Sequence, residues 1–259
     1  MKVVILAGEF GTRISEESYL RPKPMIEIGG HPILWHIMKI YSSYGFNEFI
    51  ICLGYKGYVI KEYFAEYYLH TSDVTFDFAD NNRMIIHNNV TEPWKVTLVD
   101  TGVNAQTGAR IKRIRKYIDG DAFMLTYGDG VGNVDIRALL SQHYTNPQAV
   151  VTMTSVQPGG RFGMLDVDND GMVKKFMEKA KGDGGWINAG FMVADNKVFD
   201  YIDDNEQTKF EEAPLEIIAE SGGLQTYKHY GFWQCMDTLR DKNYLEQLWQ
   251  SGNAAWKLW

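Results

Sequence analysis

The chain has 259 residues, with 26 Lys and Arg against 33 Asp and Glu, a formal net charge of −7, and 45% hydrophobic and 14% aromatic residues. A chain this apolar buries a core, so disorder is excluded as its main state. Its acidic balance argues against general binding to nucleic acid or anionic membranes, which needs a basic face. Cys52 and Cys235 cannot build a disulfide framework, and no Cys/His cluster has zinc spacing, so a reduced cytoplasmic setting is expected. The opening apolar run is too short for a signal peptide, and none reaches the ~18 residues of a membrane-spanning helix.

No repeat, low-complexity tract or linker interrupts the chain, which reads as a single unit over 1–259. Val3–Ala7 is a short apolar run ending in glycine, as a buried parallel strand requires. A helix is expected from Pro32 to about Tyr44, with proline at its first position and Gly45 just past its end. Phe49–Leu53 then reads as a strand, Tyr58–Tyr68 as a helix, and Val96–Asp100 as a strand. A basic helix around Arg110–Ile118, a strand at Ala122–Tyr127 and a helix at Val134–Tyr144 follow. From Ala149 the pattern shifts to strands at Val150–Val156, Met164–Val167, Val173–Phe176 and Ile187–Val193, with a turn at Asp168–Gly171. Helices resume at Phe210–Ser221 and Leu239–Gln250. The expected fold is α/β: a Rossmann-like, mostly parallel mixed sheet flanked by helices, with strand additions in the second half. The nucleotide-binding part would be about 1–148, and 149–259 would complete the sheet. The Trp256–Trp259 tail must dock on the chain's own core or on another subunit.

Ligands in such sheets bind at the carboxyl ends of the strands, so the loops Gly8–Arg13, Thr101–Arg110 and Gly128–Gly132 matter most. A glycine loop leaving a buried strand can aim amides at a phosphate, with Arg13 and Lys23 adding positive charge. Asp129, between two glycines at a strand end, is placed to hold Mg²⁺ near phosphate. Asp237 could be a second metal carboxylate; equally, Asp237 or Thr238 could cap the helix beginning near Leu239, with Asp241 completing a Thr-x-x-Asp box. Glu178, Lys179 and Asn188, beside glycines, could grip a phosphorylated polyhydroxyl ligand. Of the cations at 110–116, Arg110 beside its loop is the one expected to act.

Together these segments resemble the sugar-phosphate nucleotidyltransferases. Leu6-Ala7-Gly8-Glu9-Phe10-Gly11-Thr12-Arg13 and Pro22-Lys23-Pro24-Met25 look like that family's Leu-Ala-Gly-Gly-x-Gly-Thr-Arg and Pro-Lys-Pro-Met patterns. Further segments, among them Ile33–Met38, Gly54–Tyr58, Val99–Gly102, Thr107–Arg110, Gly182–Asn188 and Met236–Leu245, are similar to its glucose-1-phosphate cytidylyltransferases. The resemblance implies a cytidylyl transfer from CTP to glucose 1-phosphate with Mg²⁺, in a cytoplasmic homo-oligomer whose product feeds surface polysaccharides. It implies that the backbone of Leu6, Ala7, Gly8, Glu9, Phe10 and Gly11 binds nucleotide, that Thr12 and Arg13 contact its phosphates, and that Lys23 bridges phosphate groups. Thr107 and Arg110 would lie against the nucleotide and Gly128 near the ribose, while Asp129 and Asp237 hold Mg²⁺. Lys179 would bind the sugar's phosphate, and Glu178 and Asn188 its hydroxyls.

Two residues depart from the pattern. Glu9 replaces the family's second glycine, and Cys235 stands where the subgroup has proline. Glu9 is expected to point away from the phosphates. The competing readings are a relative using dTTP, UTP or another sugar phosphate, and a non-catalytic nucleotide-sugar-binding regulator. A nicotinamide dehydrogenase is disfavoured by the absence of Gly-x-Gly-x-x-Gly in the first loop.

Overall fold

A computed structural model describes residues 1–11, 14, 19, 21–88, 91–157, 164–167, 173–177 and 185–259. In chain order the strands are β1 (Val3–Ala7), β2 (Glu27–Ile28), β3 (His31–Pro32), β4 (Glu48–Leu53), β5 (Asp73–Asp77), β6 (Arg83–His87), β7 (Lys95–Asp100), β8 (Ala122–Tyr127), β9 (Gly130–Gly132), β10 (Val151–Val156), β11 (Met164–Val167), β12 (Val173–Met177), β13 (Ile187–Asp195), β14 (Leu224–Lys228) and β15 (Trp233–Cys235). The helices are α1 (Ile33–Ser43), α2 (Gly57–Ala65), α3 (Tyr67–Thr71), α4 (Thr107–Arg113), α5 (Ile136–Thr145), α6 (Ala213–Glu220) and α7 (Leu239–Gln250).

Seven strands form the main sheet in the order β14-β10-β13-β8-β1-β4-β7. The pairs β8–β1, β1–β4, β4–β7 and β10–β14 are parallel, and only β13 runs against both its neighbours. The mostly parallel, mixed sheet expected from sequence is therefore present. β1 is all apolar because both faces of the sheet are covered. Val3, Ile5, Phe49, Ile51 and Met124 point to the side of α1. Val4, Leu6, Ile50, Cys52 and Leu125 point to Ile111, Ile114 and Phe199 on the other.

Strand order reverses at β1. The chain steps from β1 outward through β4 to β7, then returns to place β8 on the other side. The loops leaving β1 and β8 thus open side by side, at the crevice where ligands bind sheets of this class. β9 and β15 form a short ladder beyond the end of β8.

α1 is buried on nearly every side. Its second apolar face, with Trp35 and His36, is covered by the carboxyl-terminal tail: Trp259 meets Trp35 edge-on at 5.6 Å and Trp256 is fully buried. The tail docks on the chain's own core. His36 Nε2 faces the Ile28 carbonyl at 2.8 Å, and Trp256 donates its indole N–H to His36 Nδ1.

Several expectations need correction. The helix expected at Tyr58–Tyr68 breaks at Glu66 into α2 and α3. The basic helix starts earlier, at Thr107, and tightens into a 3-10 turn over Arg115–Tyr117. Residues Phe210–Glu212 are not helical, and α6 begins at Ala213. Strands β2, β3, β5, β6, β9, β14 and β15 are not among the expected elements. The turn expected at Asp168–Gly171 lies outside the described residues, though β11 and β12 on either side pair antiparallel. Among the described residues no helix is long and apolar enough to cross a membrane.

Candidate active site

The site begins with the two loops that the reversal brings together. Leaving β8, the Gly128 amide donates to the Leu6 carbonyl of β1 at 2.9 Å, so the residue after it, Asp129, emerges beside the β1 loop. Gly130 pairs with Cys235, and the Met236 amide donates to the Asp129 carbonyl at 2.8 Å. This three-residue ladder is what sets Asp237 next to Asp129 across 108 positions of sequence.

Thr238 caps α7 with a full capping box: it accepts from the Asp241 amide while Asp241 accepts from the Thr238 amide. The capping reading of the 237–241 segment is therefore correct for Thr238 and Asp241, and it leaves the Asp237 carboxylate free of the cap. Thr238 and Asp241 finish the helix, and the Asp237 side chain is directed into the site.

There it meets Lys23. The Lys23 ammonium lies 2.5 Å from Asp129 Oδ2 and 2.6 Å from Asp237 Oδ1. Lys23 comes from a 3-10 turn begun by Pro22, and its side chain is only 5% exposed. Burial alone would favour the neutral amine, but the two carboxylates outweigh it and raise the Lys23 pKa above its ordinary value. The three residues expected to carry charge chemistry thus converge on one point. Next to them, burial and Asp237 push the Cys235 thiol up to about 12, so it stays protonated, 3.7 Å from Asp237 Oδ2.

Glu9 does not turn away. It shares a small pocket with Leu6, Ala7, Lys23, Pro24, Tyr127, Gly128 and Asp129. The residue keeps much of its surface in water, yet its carboxyl loses hydration on the pocket side. That loss, with repulsion from Asp129, raises its pKa above the usual carboxylate value, against the pull of Lys23.

Arg110, expected to meet the nucleotide, is 3% exposed and directed at the backbone. Its Nη1 donates to the Leu53 and Gly102 carbonyls and Thr101 Oγ1, and its Nη2 to the Gly8 carbonyl at 2.9 Å. One guanidinium therefore ties together the carboxyl ends of β1, β4 and β7. This close approach explains Gly8 and Gly54: a Cβ on either would lie 2.2 or 2.5 Å from the guanidinium. Arg110 positions the β1 loop from beneath.

Thr107 and Asn188 are also held by protein partners. Thr107 Oγ1 donates to Glu211 and accepts from the Phe210 amide. Asn188 donates to the Tyr127 hydroxyl and accepts from the Gly190 amide. Glu211 and the side-chain role of Tyr127 were missed from sequence, where Glu211 reads as an acidic residue in the first turn of the helix expected at Phe210–Ser221. Leu6, Ala7 and Gly128 line the same pocket as Glu9, and Gly8, Phe10 and Gly11 follow β1 in its loop. Thr12, Arg13, Glu178 and Lys179 lie outside the described residues.

Residues 2–240 match the nucleotidyl transferase family. Over its full length the chain is 56% identical to the whole of the glucose-1-phosphate cytidylyltransferase of Salmonella typhimurium, and 45% identical to the whole of the probable glucose-1-phosphate cytidylyltransferase of Bacillus subtilis. In fold it is similar to the crystal structure of HddC from Yersinia pseudotuberculosis, with a TM-score of 0.67 at 24% identity, covering 96% of this chain and 99% of that one. A match across nearly the whole sequence, end-to-end similarity to those relatives, and acidic and basic groups gathered where the strand order reverses agree on one conclusion: the chain is an enzyme of the nucleotidyl transferase family.

Proposed function

We propose that the chain transfers a cytidylyl group from CTP to α-D-glucose 1-phosphate, giving CDP-glucose and pyrophosphate. The choice of nucleotide and sugar is supported by the 56% identity to a glucose-1-phosphate cytidylyltransferase over the full length of both chains. The observation that carries the chemistry is the convergence of Lys23, Asp129 and Asp237 at the switch point.

A phosphate oxygen of glucose 1-phosphate attacks the α-phosphorus of CTP, the new P–O bond forms as the bond to the β-phosphate oxygen breaks, and pyrophosphate departs. The attacking phosphate is already anionic at neutral pH, so neither a general base nor a protein nucleophile is required. Catalysis is positioning and charge neutralisation. Arg110 holds the Gly8 carbonyl, which keeps the β1 loop open to the nucleotide. Lys23 is the described cation assigned to the phosphates, and Arg13 and Lys179 are assigned to the departing pyrophosphate and the attacking phosphate.

The donor set suits Mg²⁺. Asp129 and Asp237 offer hard oxygens aimed at a single cation position, now the Lys23 ammonium. Among the described residues no third metal-ligating side chain joins them. Two carboxylates with substrate phosphates completing the shell is the usual arrangement for this ion. When bound, Mg²⁺ would offset charge developing at the transferred phosphoryl group.

The test is pyrophosphate release across CTP, dTTP and UTP, each with a panel of sugar 1-phosphates, with and without Mg²⁺. A preference for CTP with glucose 1-phosphate of tenfold or more in kcat/KM is expected. Preference for another pair would overturn the assignment, and tight CDP-glucose binding with no turnover would point to a regulator.

A further inference from the structure

Two residues expected to touch different substrates are the two ends of one hydrogen-bond relay. Thr107, at the start of α4 on the nucleotide side, donates from Oγ1 to Glu211 Oε2 at 2.6 Å. Tyr127, at the end of β8, donates its hydroxyl to Glu211 Oε1, also at 2.6 Å. Asn188 on β13 donates from Nδ2 to the Tyr127 hydroxyl at 3.1 Å.

The direction of every bond is settled by two backbone amides. The Gly190 amide can only donate, so the oxygen it meets at 2.9 Å is Asn188 Oδ1, and Nδ2 must face Tyr127. The Tyr127 oxygen therefore accepts from Asn188, and its hydrogen goes to Glu211. At the other end the Phe210 amide donates to Thr107 Oγ1 at 2.8 Å, so the Thr107 hydrogen also goes to Glu211. Both branches end on donors, and a carboxylate, which accepts on both oxygens, is the side chain that closes them. Burial and the Glu211 charge hold the Tyr127 phenol in its protonated form.

The surrounding backbone is shaped for this arrangement. The Gln106 amide donates to the Glu206 carbonyl and the Ala109 amide to the Thr208 carbonyl, strapping the 206–211 segment onto the amino end of α4. Opposite it, Gly190 sits at φ +88°, where a Cβ would lie 2.7 Å from the Tyr127 ring.

We infer that Glu211, through Thr107 and Tyr127, is a positioning residue that sets the nucleotide-side and sugar-side contacts of the site together. This inference rests on the proposed assignment of the Thr107 side to nucleotide and of Asn188 to sugar. The relay leaves Asn188 with its second Nδ2–H, which has no partner among the described residues. Asn188 therefore presents a donor, and the sugar hydroxyl it meets must accept. In Glu211→Gln one oxygen becomes an NH₂ group, and one branch then faces donor against donor.

The experiment measures KM for both substrates and kcat in Glu211→Gln, Tyr127→Phe and Thr107→Val, using the nucleotide and sugar phosphate that the wild-type enzyme turns over best. Tyr127→Phe is expected to raise the sugar-phosphate KM about fivefold or more and leave the nucleotide KM within twofold. Thr107→Val is expected to do the reverse. Glu211→Gln is expected to raise both, with kcat at saturation within threefold. Calorimetric binding of the same two compounds reads the same pattern without turnover, and the two single-branch variants carry the test if Glu211→Gln does not fold. A wild type that prefers another substrate pair corrects the proposed function and leaves the pattern readable. The inference fails if Tyr127→Phe and Thr107→Val alter the two constants alike, or if a folded Glu211→Gln leaves both within twofold.

Discussion

Replacing Lys23 by methionine keeps most of the side-chain volume and removes the ammonium. Two carboxylates then face one position with no cation between them. Lys23 is 5% exposed, and Asp129 and Asp237 are 20% and 17% exposed as side chains, so solvent screens the trio only in part. Removing one partner of a buried ionic group costs about 3–5 kcal/mol, and the residual exposure of the two acids places this variant near the low end. Asp129→Asn behaves differently. It leaves the neutral pair Lys23–Asp237, and the new amide oxygen can still accept from the ammonium. Its cost is roughly 1–2 kcal/mol, one weakened charge-assisted hydrogen bond. In the double variant Lys23→Met/Asp129→Asn the repulsion is gone, so it should be more stable than Lys23→Met alone, with a coupling of about 1–3 kcal/mol. Seven tryptophans make urea unfolding by fluorescence a direct assay. Activity should fall steeply in all three variants, so activity does not discriminate. If Lys23→Met is no less stable than Asp129→Asn, or the double variant is the least stable, the lysine does not balance the two acids and the site has been misread.

Three further outcomes follow from neighbouring groups. Burial draws the His36 pKa down to about 4 against the opposing Ile28 carbonyl, so the unfolded chain, near 6.5, binds the proton first; stability is fully present above pH 6.5 and should fall by about 3 kcal/mol as pH drops to 4, and His36→Gln, which does not titrate, should flatten that part of the unfolding profile. Arg110→Lys keeps the charge but loses the fork, leaving the Gly102 carbonyl short of a donor while Gly8 and Leu53 keep only the Tyr55 amide and the Thr101 donors; a loss of roughly 1–3 kcal/mol is expected in urea unfolding, with weaker CTP binding. Glu9→Gln should tighten CTP binding by roughly two- to fivefold at neutral pH, with the gain shrinking as pH falls toward the raised pKa of the wild-type carboxyl; a gain that stays the same at every pH at which the protein remains folded would show that the carboxyl charge is not what opposes CTP.

How far the sequence reveals this molecule depends on the range of the signal. Val3–Ala7 and Ala122–Tyr127 are legible because a strand buried on both faces has to be apolar along its whole length. Asp129 is legible as a candidate because it stands at the carboxyl end of such a strand, although an Asp-Gly turn is common for structural reasons alone, and Thr238 with Asp241 because a capping box spans four residues. Arg110 is different. Its neighbours in sequence suggest a solvated basic face, and only the stacking of three strand ends beneath it creates the carbonyls that bury it. Glu211 gives no local signal, since Phe210-Glu211-Glu212-Ala213-Pro214 is an ordinary helix start until the 206–211 segment is seen strapped to α4. The β9–β15 ladder that aligns Asp129 with Asp237 has three residues a side and two glycines, too short for alternation to show. The expectation that Glu9 points away failed because it weighed Glu9 only against phosphate and left out the attraction of Lys23.

The charges gathered around the crevice carry one more consequence. Lys23 and Arg110 stand against Glu9, Asp129, Glu211 and Asp237, so the described part of the site is net negative. Arg110 is moreover engaged by carbonyls, and Lys23 by two of the acids. Such a surface repels a nucleoside triphosphate. On the proposed function the missing positive charge would come from Arg13 and Lys179 and from a divalent cation on Asp129 and Asp237. If the cation is the larger source, CTP should bind weakly in EDTA and about 100-fold more tightly with Mg²⁺, because a divalent ion between two carboxylates and a phosphate is worth several charge-assisted contacts. The neutral part of the ligand predicts no such dependence: cytidine, which carries no phosphate, should bind with the same affinity in EDTA as with Mg²⁺. Calorimetric titration of CTP, CMP and cytidine under both conditions separates the contributions. A Mg²⁺ effect that is the same for cytidine and CTP would mean that the cation stabilises the protein generally, and that Asp129 and Asp237 face Lys23 for structural reasons alone.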